Sequence, residues 1–128
     1  MYKICGLTNY ECNCGEDQVF GENLNLDDAI RLFISLTKDA NSLDFSYLDA
    51  VVDDWAIDCA WEKDDYYYGS YGGSIILFDE AINAGDFDRA IVIARISRDP
   101  FYKTSEISEI EFGSEATTEE VAQYQRSK

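Results

Sequence analysis

The 128-residue sequence has no histidine, a single proline at Pro100, and ten lysines and arginines against twenty-six aspartates and glutamates. Each shortage excludes something. Without histidine, the side chain that most often serves as acid or base near neutral pH is missing, and so is the commonest metal ligand. Ten scattered bases form no patch that could track a nucleic-acid backbone, so direct nucleic-acid binding is not expected. No stretch reaches the roughly 18 consecutive apolar residues of a membrane-spanning helix. The opening "MYKICGLTNYEC" has no charged start followed by a long apolar run, so no signal peptide is expected and a cytoplasmic location is. With no repeat, low-complexity tract or linker, residues 1–128 read as a single domain.

Motifs of catalysis are also missing. The sequence holds no G-x-S-x-G elbow, no glycine loop followed by lysine and Ser/Thr, and no H-E-x-x-H. No D-x-D-x-D-G calcium loop is present either. The acidic pairs Asp27/Asp28, Asp53/Asp54 and Asp64/Asp65 are read as solvated charge, since neighbouring acids arise often by chance in so acidic a chain. The expectation is a protein that is not an enzyme and uses no cofactor.

What the chain has in excess is negative charge. Its formal net charge is −16, whereas a magnitude of about 2–8 is enough to keep a small domain soluble. Duplex DNA carries about one charge per 1.7 Å of axis, so the same charge corresponds to roughly 27 Å of duplex. A compact chain of this length has a radius of gyration of about 14 Å, hence a diameter of roughly 35 Å. The linear charge density is therefore close to that of DNA. Such a surface repels nucleic acid and anionic membranes and attracts basic proteins.

Hydrophobic residues make up 46% and aromatic residues 14% of the chain, too much for an acidic disordered tail. The cysteines are Cys5, Cys12, Cys14 and Cys59. Their spacing lacks the paired C-x2-C knuckles of structural zinc, and no histidine can complete a set, so no metal is expected.

Periodicity suggests the elements. Residues 2–8, "YKICGLT", alternate and read as a first strand. Asn25 caps a helix from Leu26, with Asp27 and Asp28 in the first turn, where the helix dipole favours negative charge, and Lys38 in the last. Leu26, Ala29, Ile30, Phe33 and Thr37 fall on one face of it. "NSLDFSYLDAVV" is compatible with a short second helix. "GSIILFDEAINAG", residues 73–85, reads as a buried helix capped by Ser74 and stopped by Gly85. Residues 88–98 read as a central strand and residues 105–112 as an edge strand whose glutamates discourage sheet stacking. Thr117-x-x-Glu120 is a capping box at the start of a terminal helix. The expected fold class is α+β, with one small, largely antiparallel sheet and helices on one face. Arg89, Arg95 and Arg98 are expected to form ion pairs with nearby acids.

Two adjacent stretches carry the candidate site. "DDWAIDCAWEK" alternates with a period of two, which argues a strand with one aromatic and one acidic face. A helix is the alternative, and it too would set Asp54, Asp58 and Glu62 on one side. "EKDDYYYGSYGG" follows. Tyrosine and glycine on a turn suit a protein interface, because tyrosine offers broad contact area at low rotamer cost and keeps a hydroxyl for hydrogen bonding. Flanking carboxylates add steering toward a basic partner. The candidate partner-binding surface is Asp53, Asp54, Asp58, Glu62, Asp64, Asp65, Tyr66, Tyr67, Tyr68 and Tyr71. The competing reading is that some of these tyrosines pack on the sheet edge.

In size, charge and lack of a catalytic motif, the chain resembles the phage-encoded acidic DNA-mimic inhibitors of the anti-restriction and anti-CRISPR type. The resemblance covers those bulk properties and carries over no site residue. It implies an inhibitor that occupies the basic nucleic-acid-binding surface of a DNA- or RNA-acting protein or nuclease complex. An immunity protein against a nuclease toxin would work by the same physics. A general protein-binding adaptor domain remains a further alternative, while an anionic small ligand would be opposed by the charge.

Overall fold

Residues 73–78 are six consecutive buried positions, Gly73 through Phe78, and a strand with no solvent-facing side must lie inside a sheet covered on both faces. The computed structural model describes residues 1–8, 18–39, 71–81, 87–99 and 104–128. Five strands form one antiparallel sheet: β1 (Tyr2–Thr8), β2 (Gln18–Leu24), β3 (Tyr71–Asp79), β4 (Val92–Asp99) and β5 (Thr104–Phe112). Their spatial order is β2-β1-β3-β4-β5, so β3 is central and β2 and β5 are the edges. Among the described residues two α-helices, α1 (Leu26–Lys38) and α2 (Thr118–Ser127), complete an α+β domain. No helix among the described residues is long and apolar enough to cross a membrane.

Both helices sit on one face. Ile4, Ile75, Leu77, Val92, Ala94 and Ile96 cluster there with Ala29, Ile30 and Phe33 of α1 and Tyr124 of α2. The opposite face buries a second set, Cys5, Leu7, Ile76, Phe78 and Ile93, joined by Ala90 and partly by Phe87. Helix α1 begins as its sequence dictates, with the Asn25 side chain accepting from the Asp28 amide at 2.8 Å. Asp27 and Arg31 pair one turn apart. The capping box of α2 is complete: Thr117 Oγ1 accepts from the Glu120 amide and Glu120 Oε1 accepts from the Thr117 amide. Tyr124 then meets Phe33 and Phe112 edge-on, with ring centroids 6.1 and 5.5 Å away. These edge-to-face pairs lock α1, α2 and β5 together.

The structure corrects the reading of residues 73–85. Residues 73–79 belong to β3, and Ser74, expected as a helix cap, lies fully buried in mid-strand. A continuous apolar run buried on both sides has no period to separate strand from helix, and the β-branched pair Ile75–Ile76 tips the balance to strand. Gly85 lies outside the described residues. So do both the short helix expected in 42–52 and the alternating segment 53–63. Strand β2 was not anticipated. Two irregularities in its pairing with β1 and a left-handed Asn23 (φ 56°) erase its alternation.

A bulge explains the spacing in β5. Ile107 and Ile110 are three residues apart, and so are Glu106 and Glu109, which a regular strand would scatter over both faces. The register shifts between Arg95 and Ile96, so that Arg95 pairs with Glu109 and Ile96 with Ile107. Ser108 is the extra residue, and its hydroxyl donates to the Arg95 carbonyl at 3.3 Å. Beyond the bulge the phase flips. As a result Ile107 and Phe112 meet the helix-side core, while Glu106, Glu109 and Glu111 pair opposite Ser97, Arg95 and Ile93 on the other face.

Two outcomes follow from these contacts. Deleting Ser108 restores simple alternation without moving any glutamate or isoleucine to the wrong face, so the variant should fold with stability within about 1 kcal/mol of the parent in urea titration. Gly113→Ala should do far worse. A Cβ there would come within 2.0 Å of the Ala90 carbonyl oxygen and 2.8 Å of two others, all backbone. Loss of the cooperative thermal transition, or a destabilisation above about 3 kcal/mol, is expected.

Candidate acidic interface

Of the ten residues proposed from sequence as partner-binding, Tyr71 alone has a described position. It is the first residue of β3, paired through its backbone with Arg98 of β4. Asp53, Asp54, Asp58, Glu62, Asp64, Asp65, Tyr66, Tyr67 and Tyr68 lie outside the described residues, as do Cys12, Cys14 and Cys59. Cys5 is buried in the sheet. Among the described residues, no group of cysteines and acids could hold a metal ion.

Two acidic regions come together elsewhere. The first is the row on β5. Arg95, on the neighbouring strand, donates from Nε and Nη2 to Glu111 Oε1 at 3.0 and 2.6 Å and from Nη1 to Ser74 Oγ at 3.2 Å. Its guanidinium also lies 4.7 Å from the centre of the Phe87 ring. This arginine is held on three sides, and the half-exposed ion pair with Glu111 gains from that fixed geometry. Its charge is thereby committed to Glu111. Glu106 and Glu109, both exposed, have no ion-pair partner among the described residues. Of the three arginines expected in ion pairs, Arg95 fits that expectation. Arg89 has no such partner among the described residues, and the side chain of Arg98 is not described.

The second region is a cleft of about 240 Å³ lined by Asp79, Arg89, Ile91, Glu115 and Glu120. It forms where the end of β3, the start of β4 and the first turn of α2 converge. Backbone bonds from Glu115 N to Asp88 O (2.7 Å) and from Gly113 N to Ile91 O (3.3 Å) fasten the turn before α2 to the entry of β4. Tyr2 reaches the same corner. Burial pushes its phenol above the ordinary value, and the charges of Glu120 and Asp79 and a hydrogen bond to Glu120 add to the shift. Burial alone raises Tyr124.

Other carboxylates are spoken for. Asp27 and Asp28 face Arg31 on α1, Glu119 faces Arg126 on α2, and Glu80 accepts from the Asn23 amide of β2. The sequence signal for the β5 row was visible in "SEISEIEF". The cleft was not legible, because its residues come from three separate stretches of chain.

No protein-family model, curated protein or solved structure matches this chain.

The phenol at the cleft gives a pH test. A raised Tyr2 value means that the folded state holds the proton longer than the unfolded chain, which titrates near about 10. The stabilisation is thus complete below about pH 10 and is lost as pH rises through the folded value. The urea midpoint of the parent minus that of Tyr2→Phe should shrink between about pH 8 and pH 11. A difference that stays constant across that range would mean the phenol does not titrate as described.

Proposed function

We propose that the protein is an acidic inhibitor that binds the basic nucleic-acid-binding surface of a DNA- or RNA-acting protein, its carboxylates standing where phosphates would sit. The observation that carries the reading is the net charge of −16 with no histidine. The described surface adds two points in its favour. Glu106 and Glu109, without an ion-pair partner among the described residues, leave part of one sheet face rich in acceptors beside an Arg95 already paired with Glu111. A charge-assisted contact from a partner's arginine to such a carboxylate follows the same rules as one to a phosphate oxygen. The acidic and tyrosine-rich stretch 53–71 would supply further carboxylates and the aromatic anchors of the contact.

The geometry of charge decides what the binding should look like. Association of a polyanion with a basic groove is steered over a Debye length of about 8 Å at physiological salt, so its rate should fall as salt rises. Desolvated aromatic anchors act mainly after encounter, on the dissociation rate.

The test is affinity capture at low salt on the immobilised chain, with elution first by duplex DNA and then by salt. A basic nucleic-acid-binding protein released by DNA, and inhibited in its own DNA binding by the free chain, is the expected result. In that complex, neutralising Asp54, Asp58 and Glu62 to the amides should slow association several-fold, whereas Tyr67→Ala or Tyr68→Ala should mainly speed dissociation. Captured proteins that resist DNA and bind equally well across salt would instead point to an adaptor with inert acidity.

A further inference from the structure

Among the described residues the sheet ends at β5, and no described strand pairs with its outer edge. An open strand edge is a template for another chain, and folded proteins usually blunt it. The other edge, β2, is blunted by two pairing irregularities with β1 and by the left-handed Asn23. Strand β5 is longer, nine residues against seven, with a single bulge at Ser108. Its two faces differ in chemistry. One carries Glu106, Glu109 and Glu111. The other carries Ile107, Ile110 and Phe112, and Ile110 is 39% exposed.

Which strand could add to this edge is decided by charge. A second copy of β5 would set glutamate rows against each other, on chains that each carry −16, and like charges directly opposite destabilise a strand pair. A neutral apolar strand would cover the backbone but leave Glu106 and Glu109 unpartnered. A strand that alternates lysine or arginine with apolar residues satisfies both faces at once: its bases reach Glu106 and Glu109, and its apolar residues extend the row of Ile107, Ile110 and Phe112. Backbone pairing would supply affinity and the alternate side chains specificity, as in other strand-addition complexes.

We propose that the outer edge of β5, Thr104–Phe112, receives an extended basic strand of the partner protein by antiparallel or parallel strand addition. The glutamate row thus has two effects, excluding self-pairing and selecting a cationic strand. This rests on the reading of the protein as a ligand for basic nucleic-acid-binding proteins, since it assigns one contact of that same encounter.

The probe is a peptide matching β5 in length and alternating lysine with valine, added to the isotope-labelled full chain. Amide exchange is followed by NMR alongside a control of identical charge whose outward backbone nitrogens are methylated. The expected result is slowed exchange confined to residues 104–112 with the first peptide and none with the control. Glu106→Gln with Glu109→Gln should weaken peptide binding by roughly two- to thirtyfold, the range of two cross-strand charge pairs. Both residues are exposed, so this variant should fold, and its unchanged urea midpoint would verify that. Equal binding of the methylated control, or protection spread over other elements, would overturn strand addition. If a DNA-displaceable partner is captured yet the edge stays unprotected by peptide, the edge assignment fails and the inhibitor reading stands. If no such partner exists but the edge still binds the peptide, the reverse holds.

Discussion

Two-sided burial of the central strands is the constraint from which the rest of this molecule follows. Positions 73–78 of β3 and 90–94 around the start of β4 are closed to solvent, so the middle of the sheet can carry no charge that is not paired. A chain with twenty-six acids must then place them at helix starts, turns and edge strands. Most of the described acids obey this, and Asp79 and Asp99 sit at the last positions of β3 and β4. Asp27, Asp28, Glu119 and Glu120 occupy first turns of helices, where the macrodipole favours them. Glu106, Glu109 and Glu111 line an edge. Among the described residues the negative charge is thus kept to the rim by the demands of the core, before any partner is considered.

Arg95 marks the boundary between core and rim. Its base rises from an inner strand, and it is held by Ser74, Glu111 and the Phe87 ring. Fixing the cation in this way keeps it from neutralising the outer glutamates. The Ser108 bulge acts on the same boundary by turning the phase of β5 so that all its apolar residues face the helices. Strand, bulge and ion pair together give β5 one apolar face and one acidic face.

Much of this was legible in the residues. Asn25 followed by two aspartates and an apolar stripe placed α1, and Thr117 with Glu120 placed the start of α2, because caps are local and carry their own chemistry. The α+β class and the edge position of β5 followed from alternation and from glutamates that a central strand could not hold. The misread element was β3, since four apolar residues in a row, Ile75 to Phe78, look alike in a buried strand and a buried helix. Strand β2 was hidden for the opposite reason: its bulged pairing and its Asn23 break the pattern that reveals a strand. The pairing of Arg95 with Glu111, sixteen residues on, depends on which strands are neighbours and was visible as a possibility but not as a geometry. Of the surface proposed from 53–71, the structure fixes the position of Tyr71 alone.

The central claim, that unpaired rim carboxylates act as counterfeit phosphates, is tested most directly by carboxyl-group footprinting of the free chain and of its complex with a captured basic protein. Labelling each acid and reading it by mass spectrometry compares all of them under one condition. Loss of labelling at Glu106 and Glu109 and across Asp53 to Asp65, with the Arg31-paired Asp27 and Asp28 unchanged, is the predicted pattern. Protection of Asp27 and Asp28 while the unpaired acids stay fully reactive would contradict the account.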